Sequence, residues 1–279
     1  MARVKEEKMA TEVATTAPAG LPAELLDQFE NDAGQGVSTS TDDTMIPLLT
    51  MVQKGSPQVD RTHPRYAESR IDGIEAGDFL IGSTRTFWKG EAGILFIPVF
   101  FERSFNRWRP RESGGGFMGS YATLPSEARE GHDPEKSTRR FHMMDDGSEI
   151  IEVRNHYGII VNGQDALPQS IGGAVQGVLT LSSTGHTFSR KWMTQINQIK
   201  LPTGKLAPSR ARTWRISQVI KSNAEGSWFG FKAEDQGWVA DAELYKAGTA
   251  MYEAIQAGKI KAAAPEQQGN GGEDKEIPF

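Results

Sequence analysis

The strongest candidate for ligand chemistry lies between residues 101 and 109, where the sequence reads FERSFNRWR. Side chains alternate between the two faces of a strand, so one face would carry Phe101, Arg103, Phe105, Arg107 and Arg109. Guanidinium groups pair with phosphates, and unstacked bases lie on aromatic rings or on the guanidinium plane. This face therefore predicts a flat, anionic ligand such as a single-stranded nucleic acid. A competing interpretation places the two phenylalanines in a core that is flanked by arginines.

The opposite face of the same strand would carry Trp108. Trp108 and Phe105 can therefore serve one ligand only if a bulge or the end of the strand intervenes. We expect phosphate contacts from four arginines of this segment, which are Arg103, Arg107, Arg109 and Arg111. We expect stacking platforms from three rings, which are Phe105, Trp108 and Trp88.

Basic and aromatic residues alternate in four further segments of the chain. Each segment alone has an ordinary explanation, and we interpret Trp192 and Trp214 as core residues. Their repetition across five segments is what favours nucleic acid, for which basic residues and stacking rings are both needed. The further candidate contacts are Trp88, Lys89, Arg139, Arg140, Phe141, Arg190, Lys191, Lys205, Arg210, Arg212 and Arg215.

Enzymatic motifs are weak or missing in this sequence. Residues 114–119 formally match GxGxxG, but the residues that follow do not resemble the helix that a dinucleotide site requires. The five histidines form no HExxH pair, and no serine lies in a GxSxG motif. His132, His142 and the neighbouring aspartates suggest a metal-dependent nuclease as one alternative. We predict a protein that is not an enzyme and that binds no metal or cofactor.

Charge is distributed unevenly along the 279 residues. The net charge is −7 for residues 1–84, +7 for residues 85–232 and −5 for residues 233–279. A basic middle attracts polyanions, and acidic ends can compete for the same surface or recruit another partner. The sequence has no cysteine and no apolar run of membrane-spanning length, which fits a soluble protein of a reducing cytoplasm.

The pattern of apolar runs and turn residues predicts one β-rich domain at residues 44–260 between disordered segments at 1–43 and 261–279. We predict a mainly β (α+β) fold, an OB-fold-like barrel with a long loop insertion between Pro110 and Gly147. The helices are expected at Thr184–Lys200, embedded in the barrel, and at Asp241–Ala257 near the C-terminus. The expected strands are Asp78–Ser83, Ile94–Trp108, Glu149–Val161, Gly177–Ser182, Arg212–Lys221 and Trp228–Ala233.

The chain ends in the sequence GEDKEIPF. This end resembles the C-terminal tip of bacterial single-stranded DNA-binding proteins, in which an acidic run ends in Ile-Pro-Phe on a disordered tail. In that family the tip docks replication and repair enzymes, while an OB-fold body holds the strand. Lys275 departs from the pattern because it interrupts the acidic run. The resemblance implies a partner-binding role for six residues, Glu273, Asp274, Glu276, Ile277, Pro278 and Phe279.

The stretch from Ile46 to Tyr121 resembles a group of phage-encoded proteins of replication modules, through SPQVD, GDFL and PVFFERSFNRWRPRESGGG. The two resemblances together imply a phage single-stranded DNA-binding protein that protects strands during replication or recombination in the cytoplasm of an infected bacterium. We expect single-stranded DNA and phage or host replication proteins as partners, no membrane, and homo-oligomerisation as an option. The alternatives are a phage structural or assembly protein without DNA binding, and the nuclease.

Overall fold

The computed structural model describes residues 25, 28, 31–32, 45–110, 113–132, 140–161, 174–224 and 226–265. The chain divides into two compact units, residues 1–39 and residues 40–279. In the first unit, the amide of Asp32 donates to the carbonyl oxygen of Gln28 and closes one helical turn. No helix within the described residues is long and apolar enough to cross a membrane.

The second unit is built from strands and three described helices. The helices are α1 (Tyr66–Ser69), α2 (Gly185–Ile196) and α3 (Ala242–Gln256). The first strands are β1 (Met45–Ile46), β2 (Leu48–Met51), β3 (Phe79–Ile81), β4 (Thr86–Trp88), β5 (Ile94–Trp108) and β6 (Phe117–Tyr121). The remaining strands are β7 (Arg129–His132), β8 (Arg140–Met143), β9 (Glu149–Val161), β10 (Ala174–Ser182), β11 (Arg212–Asn223), β12 (Gly226–Trp238) and β13 (Lys261–Ala262).

One large sheet holds strands β2 to β12, with the order β12-β11-β5-β9-β10-β2-β3-β4 along its main path. Strand β6 pairs with β5, β8 pairs with β9, and β7 pairs with β8, so the predicted long insertion carries three short strands. All of these pairs are antiparallel except the parallel pair β10–β2. The short strands β1 and β13 form a separate parallel pair.

The sheet curls until the two ends of its path meet. The side-chain amide of Gln53 donates to the carbonyl oxygen of Phe229 on β12 at 3.1 Å, and its oxygen accepts from the Phe229 amide at 3.1 Å. The amide of Gln218 on β11 donates to the carbonyl oxygen of Gly90, just after β4. A Cβ at Gly90 would lie 1.8 Å from the Gly77 carbonyl oxygen, so this close approach requires glycine. The predicted mainly β fold with an OB-like barrel is thereby confirmed.

Helix α2 fills the concave side of the sheet and corresponds to the predicted embedded helix. Trp192 is 1% exposed, and its ring lies 5.9 Å from that of Phe96 and 6.1 Å from that of Trp214. Phe188 precedes Trp192 by one helical turn and stacks on it, since residues i and i+4 share a helix face. The prediction that Trp192 and Trp214 are core residues is confirmed.

Helix α3 covers the convex side, where Met251 packs with Ile97, Val99 and Tyr157. The helix begins after Asp241, whose carboxylate accepts from the amides of Glu243 and Leu244, as an N-cap residue does. The predicted second helix and its cap therefore agree with the structure to within one residue.

The feature that matters for function is the part of β5 that extends beyond its pairing with β11. Strand β5 pairs with β11 at residues 94–96, whereas its pairing with β9 continues to Trp108. We call residues 101–108 of β5, residues 149–156 of β9 and strand β6 the arm. A bulge between Pro98 and Phe100 precedes the arm and sets which side chains face α2.

Candidate nucleic-acid interface

The arm presents one face on the same side of the sheet as α2. The alternation predicted from the sequence holds beyond the bulge, because Phe101 pairs with His156, and His156 packs against Trp192 of α2. The residues of this face on β5 are Phe101, Arg103, Phe105 and Arg107. In register with them, β9 contributes His156, Arg154, Glu152 and Ile150.

Arg103 and Arg154 form the centre of this arm face, because the register places them directly opposite each other. The Arg103 guanidinium lies 5.5 Å from the centre of the Phe105 ring, and no described carboxylate pairs with it. Arg154 contacts Glu152 at 3.2 Å. Like charges directly opposite in an antiparallel pair destabilise the sheet. Glu152 offsets the charge of Arg154, whose side chain is only 15% exposed, so the exposed Arg103 is the member of the pair that most favours an anion above it.

The first turns of α2 carry a third arginine, Arg190, whose charge acts on the same histidine, His186, as that of Arg154. His186 donates from Nε2 to the Glu152 carbonyl oxygen at 3.1 Å. Burial lowers the pKa of His186; the charges of Arg154 and Arg190 lower it further, against the opposing effect of Glu152. Arg190 is itself exposed. We call Arg103, Arg154 and Arg190 the arginine cluster; it unites two predicted contacts from separate segments with one that sequence reasoning missed.

Arg107 shares this face, but each of its three nitrogens already donates a hydrogen bond within the protein. It donates from Nε to Ser148 Oγ at 2.7 Å, from Nη1 to Tyr121 Oη at 3.1 Å and from Nη2 to Asp146 Oδ2 at 2.5 Å. Hydrogen bonds from Ser148, followed by those from Arg107, lower the pKa of Asp146 from 3.8 to about 2. Arg107 therefore connects the turn before β9 to the arm. This structural role fits poorly with the predicted phosphate contact of Arg107.

Two of the three predicted stacking platforms are covered by protein. Phe105 and Trp88 are each 6% exposed, and Trp88 belongs to the concave core. Neither offers a free ring face for a base, so a platform role does not fit their positions. Trp108 is half-buried and meets Phe117 edge-on at 5.6 Å on the other side of the arm, as strand alternation requires. Arg109 is exposed where β5 ends.

Lys89 lies on the barrel end near Gly90, away from the arm. Its ammonium group donates to the Gly73 carbonyl oxygen at 2.7 Å, to Glu75 at 3.2 Å and to Asp78 at 3.1 Å. Burial lowers the pKa of Lys89, but the hydrogen bonds to the two carboxylates outweigh this effect and raise it overall. The cation is thus neutralised locally, and the predicted phosphate contact does not fit this site.

The cations that lead into β11 are also occupied by structural contacts. Arg210 donates to Thr249 Oγ1 at 3.0 Å and lies over the rings of Tyr245 and Tyr252 on α3. Arg212 forms a bidentate pair with Asp235 and lies 4.5 Å from the Trp238 ring centre. Arg215 donates to the Ala92 carbonyl oxygen at 2.7 Å. These predicted contacts do not join the arginine cluster.

The remaining predicted residues are either exposed elsewhere or not described. Lys191 and Lys205 are exposed on α2 and on the loop that follows it. Phe141 is half-buried on β8, where its ring covers Gly131. The following predicted residues lie outside the described residues: Arg111, Arg139, the side chain of Arg140, and the tail residues Glu273, Asp274, Glu276, Ile277, Pro278 and Phe279.

The structure adds Arg154, His186 and Tyr121 to the arm face. A cue for Arg154 was available, because it lies among alternating residues of a strand whose limits were predicted correctly. What the sequence lacked was the register that places Arg154 against Arg103. Within the described ranges, no three His, Asp or Glu residues form a group suited to a metal ion.

Residues 14–261 match a protein-family model described as Pam3 phage gp34-like protein. No curated protein and no solved structure matches the chain. The family match spans the whole sheet, both large helices and the arginine cluster. Because it covers well over half of the sequence, this chain belongs to the phage family of Pam3 gp34-like proteins.

Proposed function

We propose that this protein binds single-stranded DNA without reading its sequence, through the arm face, during phage DNA replication or recombination. The observation that carries the proposal is the Arg103–Arg154 pair, whose members the register of β5 and β9 places directly opposite each other. The three guanidinium groups come from β5, β9 and α2, so the fold concentrates positive charge that the sequence distributes widely. An anionic backbone along the arm would offset the repulsion within this cluster.

Aromatic and planar groups beside the cluster support a single strand over a duplex. Tyr121 is half-buried next to Arg107, and Phe101 is half-buried next to Arg103. The guanidinium plane of Arg103, which lies over the Phe105 ring, can itself carry a base. Such contacts use the faces of the bases, which every base has, and therefore give little sequence preference.

The acidic Ile-Pro-Phe end supports a second part of the proposal, in which the tail recruits phage or host replication proteins. Phe279 would supply a ring for a pocket on the partner, and Pro278 would limit the entropy lost on binding. Glu273, Asp274 and Glu276 would steer the tail toward a basic rim. The acidic residues of the tail would also compete with DNA for the arginine cluster.

Fluorescence anisotropy of a labelled oligo-dT with the full-length protein tests the proposal, with and without magnesium and over a range of salt concentrations. We expect magnesium-independent binding that weakens steeply with salt, because phosphate contacts release counterions, and we expect an intact oligonucleotide afterwards. Folded protein that shows no salt-sensitive binding would contradict the proposal and favour an assembly role. Degradation that requires magnesium would favour the nuclease.

A further inference from the structure

A cleft of about 250 Å³ opens beside the arm, where β5 separates from β11. Strand β5 pairs with β11 only up to Phe96, and with β6 only from Phe105 onward. The loop before β11 and the ends of α2 and α3 surround the gap. The lining combines apolar and aromatic walls with the polar residues His156, Asn197 and Ser209; the walls are formed by Phe100, Phe101, Met193, Ile196, Ala207 and Tyr252.

The walls of the cleft are held in place from behind. Phe101 contacts the His156 ring at 4.9 Å, and His156 in turn stacks on Trp192 at 4.8 Å. His156 Nε2 and Ser189 Oγ lie 2.8 Å apart, which fixes the imidazole. Phe100 packs edge-on against Tyr252 of α3 at 6.2 Å. A ligand would therefore meet prepositioned rings, which lowers the entropy cost of binding.

The arginine cluster borders this cleft on one side. Phe101 and Arg103 share a strand face two residues apart, a separation of about 7 Å. His156 and Arg154 are related in the same way on β9, and the charge of Arg154 contributes to lowering the pKa of His156. A ligand that reaches from the cluster into the cleft must therefore combine an anionic group with a compact group that has apolar faces and polar edges.

We propose that the cleft accepts one unstacked nucleobase of the strand whose phosphates bind the arginine cluster. This inference rests on the proposed function, because the bound strand supplies the base. A nucleotide meets this requirement, since a single nucleotide carries both a phosphate and a flat base. Asn197 lines the cleft with an exposed amide that both donates and accepts hydrogen bonds, so it can serve any base.

Two variants that fill the cleft test this inference without touching the arginine cluster. Ala207→Leu adds bulk to the wall, and Asn197→Phe places a ring at an exposed position of the lining, where folding is expected to tolerate it. Ala250→Leu is the control for added bulk, because Ala250 is exposed on α3 and does not line the cleft. Each variant is titrated with oligo-dT and with an abasic oligonucleotide of equal length.

We expect the cleft variants to bind oligo-dT about tenfold more weakly than wild type does, with the abasic affinity unchanged. Wild-type affinity of both variants for oligo-dT would overturn the base site and leave the proposed function intact. Equal losses on both oligonucleotides would also overturn it, because the cleft would then act through the backbone contacts. Wild-type protein that binds neither oligonucleotide would refute the proposed function and this inference with it.

Discussion

Arg103 and Arg154 lie directly opposite each other on neighbouring antiparallel strands. Arg154 has Glu152 as a partner, whereas Arg103 rests on the Phe105 ring without a described carboxylate. A folded protein that keeps two cations in register loses stability through their repulsion. A bound anion would relieve this repulsion. The pair therefore lowers the stability of the free protein and strengthens anion binding.

This repulsion predicts an unusual dependence of stability on salt. Salt screens the repulsion between Arg103 and Arg154, so the free energy of unfolding of wild type should rise with salt relative to Arg103→Met, by about 0.2–1 kcal/mol. Methionine keeps an apolar stem over Phe105. Urea unfolding at low and high salt measures the difference. Lys246→Met is the contrast, because Lys246 attracts Glu243 at 2.7 Å. Salt should therefore lower the free energy of unfolding of wild type relative to this variant. A salt response of Arg103→Met equal to that of wild type would contradict the repulsion.

The contact that closes the barrel predicts a loss of stability on truncation of Gln53. Its side chain makes two hydrogen bonds to the backbone of Phe229 and joins the chain just after β2 to the end strand β12. Gln53→Ala should therefore reduce the free energy of unfolding by about 1–2 kcal/mol in urea unfolding. Gln236→Ala is the matched control, because Gln236 is exposed on β12 and its truncation should change the free energy of unfolding little. Equal stability of the two variants would show that the barrel is closed by other contacts.

The buried imidazole of His156 predicts acid sensitivity. Burial, and then the charge of Arg154, lower the pKa of His156 from 6.5 to about 3. A group with a lowered pKa in the folded state stabilises the fold above its unfolded pKa, and this stability is lost as the pH falls toward the folded value. The Tm of wild type should therefore fall between pH 6.5 and 3 more steeply than that of His156→Gln, whose side chain does not titrate. Parallel Tm curves for the two proteins over this range would count against the shift.

The acidic end predicts that removal of residues 273–279 leaves binding to oligo-dT unchanged or strengthens it. The deletion removes three carboxylates that would compete with phosphates for the arginine cluster. Anisotropy titrations of the truncated and full-length proteins at low salt measure the change. Replacement of Ile277, Pro278 and Phe279 by alanine is the control, since it keeps the charge. Markedly weaker binding after the truncation would refute competition by the tail.

The sequence predicted the elements well and their contacts poorly. Strands β5 and β9 have the predicted limits because each is a long run of β-branched and aromatic residues with turn residues at both ends. Asp241 and the apolar stripe that follows were sufficient to predict α3. The partners of cations depend on residues that are distant in sequence, so the pairing of Arg212 with Asp235 and of Lys89 with Asp78 could not be predicted.

The candidate site illustrates the same limit. Alternation along one strand placed Arg103 and Phe105 on one face, and both lie there. The burial of Phe105 and Trp88 depends on the packing of other elements against them, which composition does not reveal. The arginine cluster arises from strand register and from the position of α2, two properties of the tertiary fold.

The most direct test of the arm compares the salt dependence of oligo-dT binding in two double variants. Arg103→Ala/Arg154→Gln removes two charges of the cluster, and Lys246→Ala/Lys259→Ala removes two exposed charges elsewhere. The arm variant should bind about 10–100-fold more weakly at low salt, with a slope of log K against log salt smaller by about 1.4. The control should match wild type in both quantities. Equal affinity and slope for the two double variants, both folded, would contradict binding at the arm.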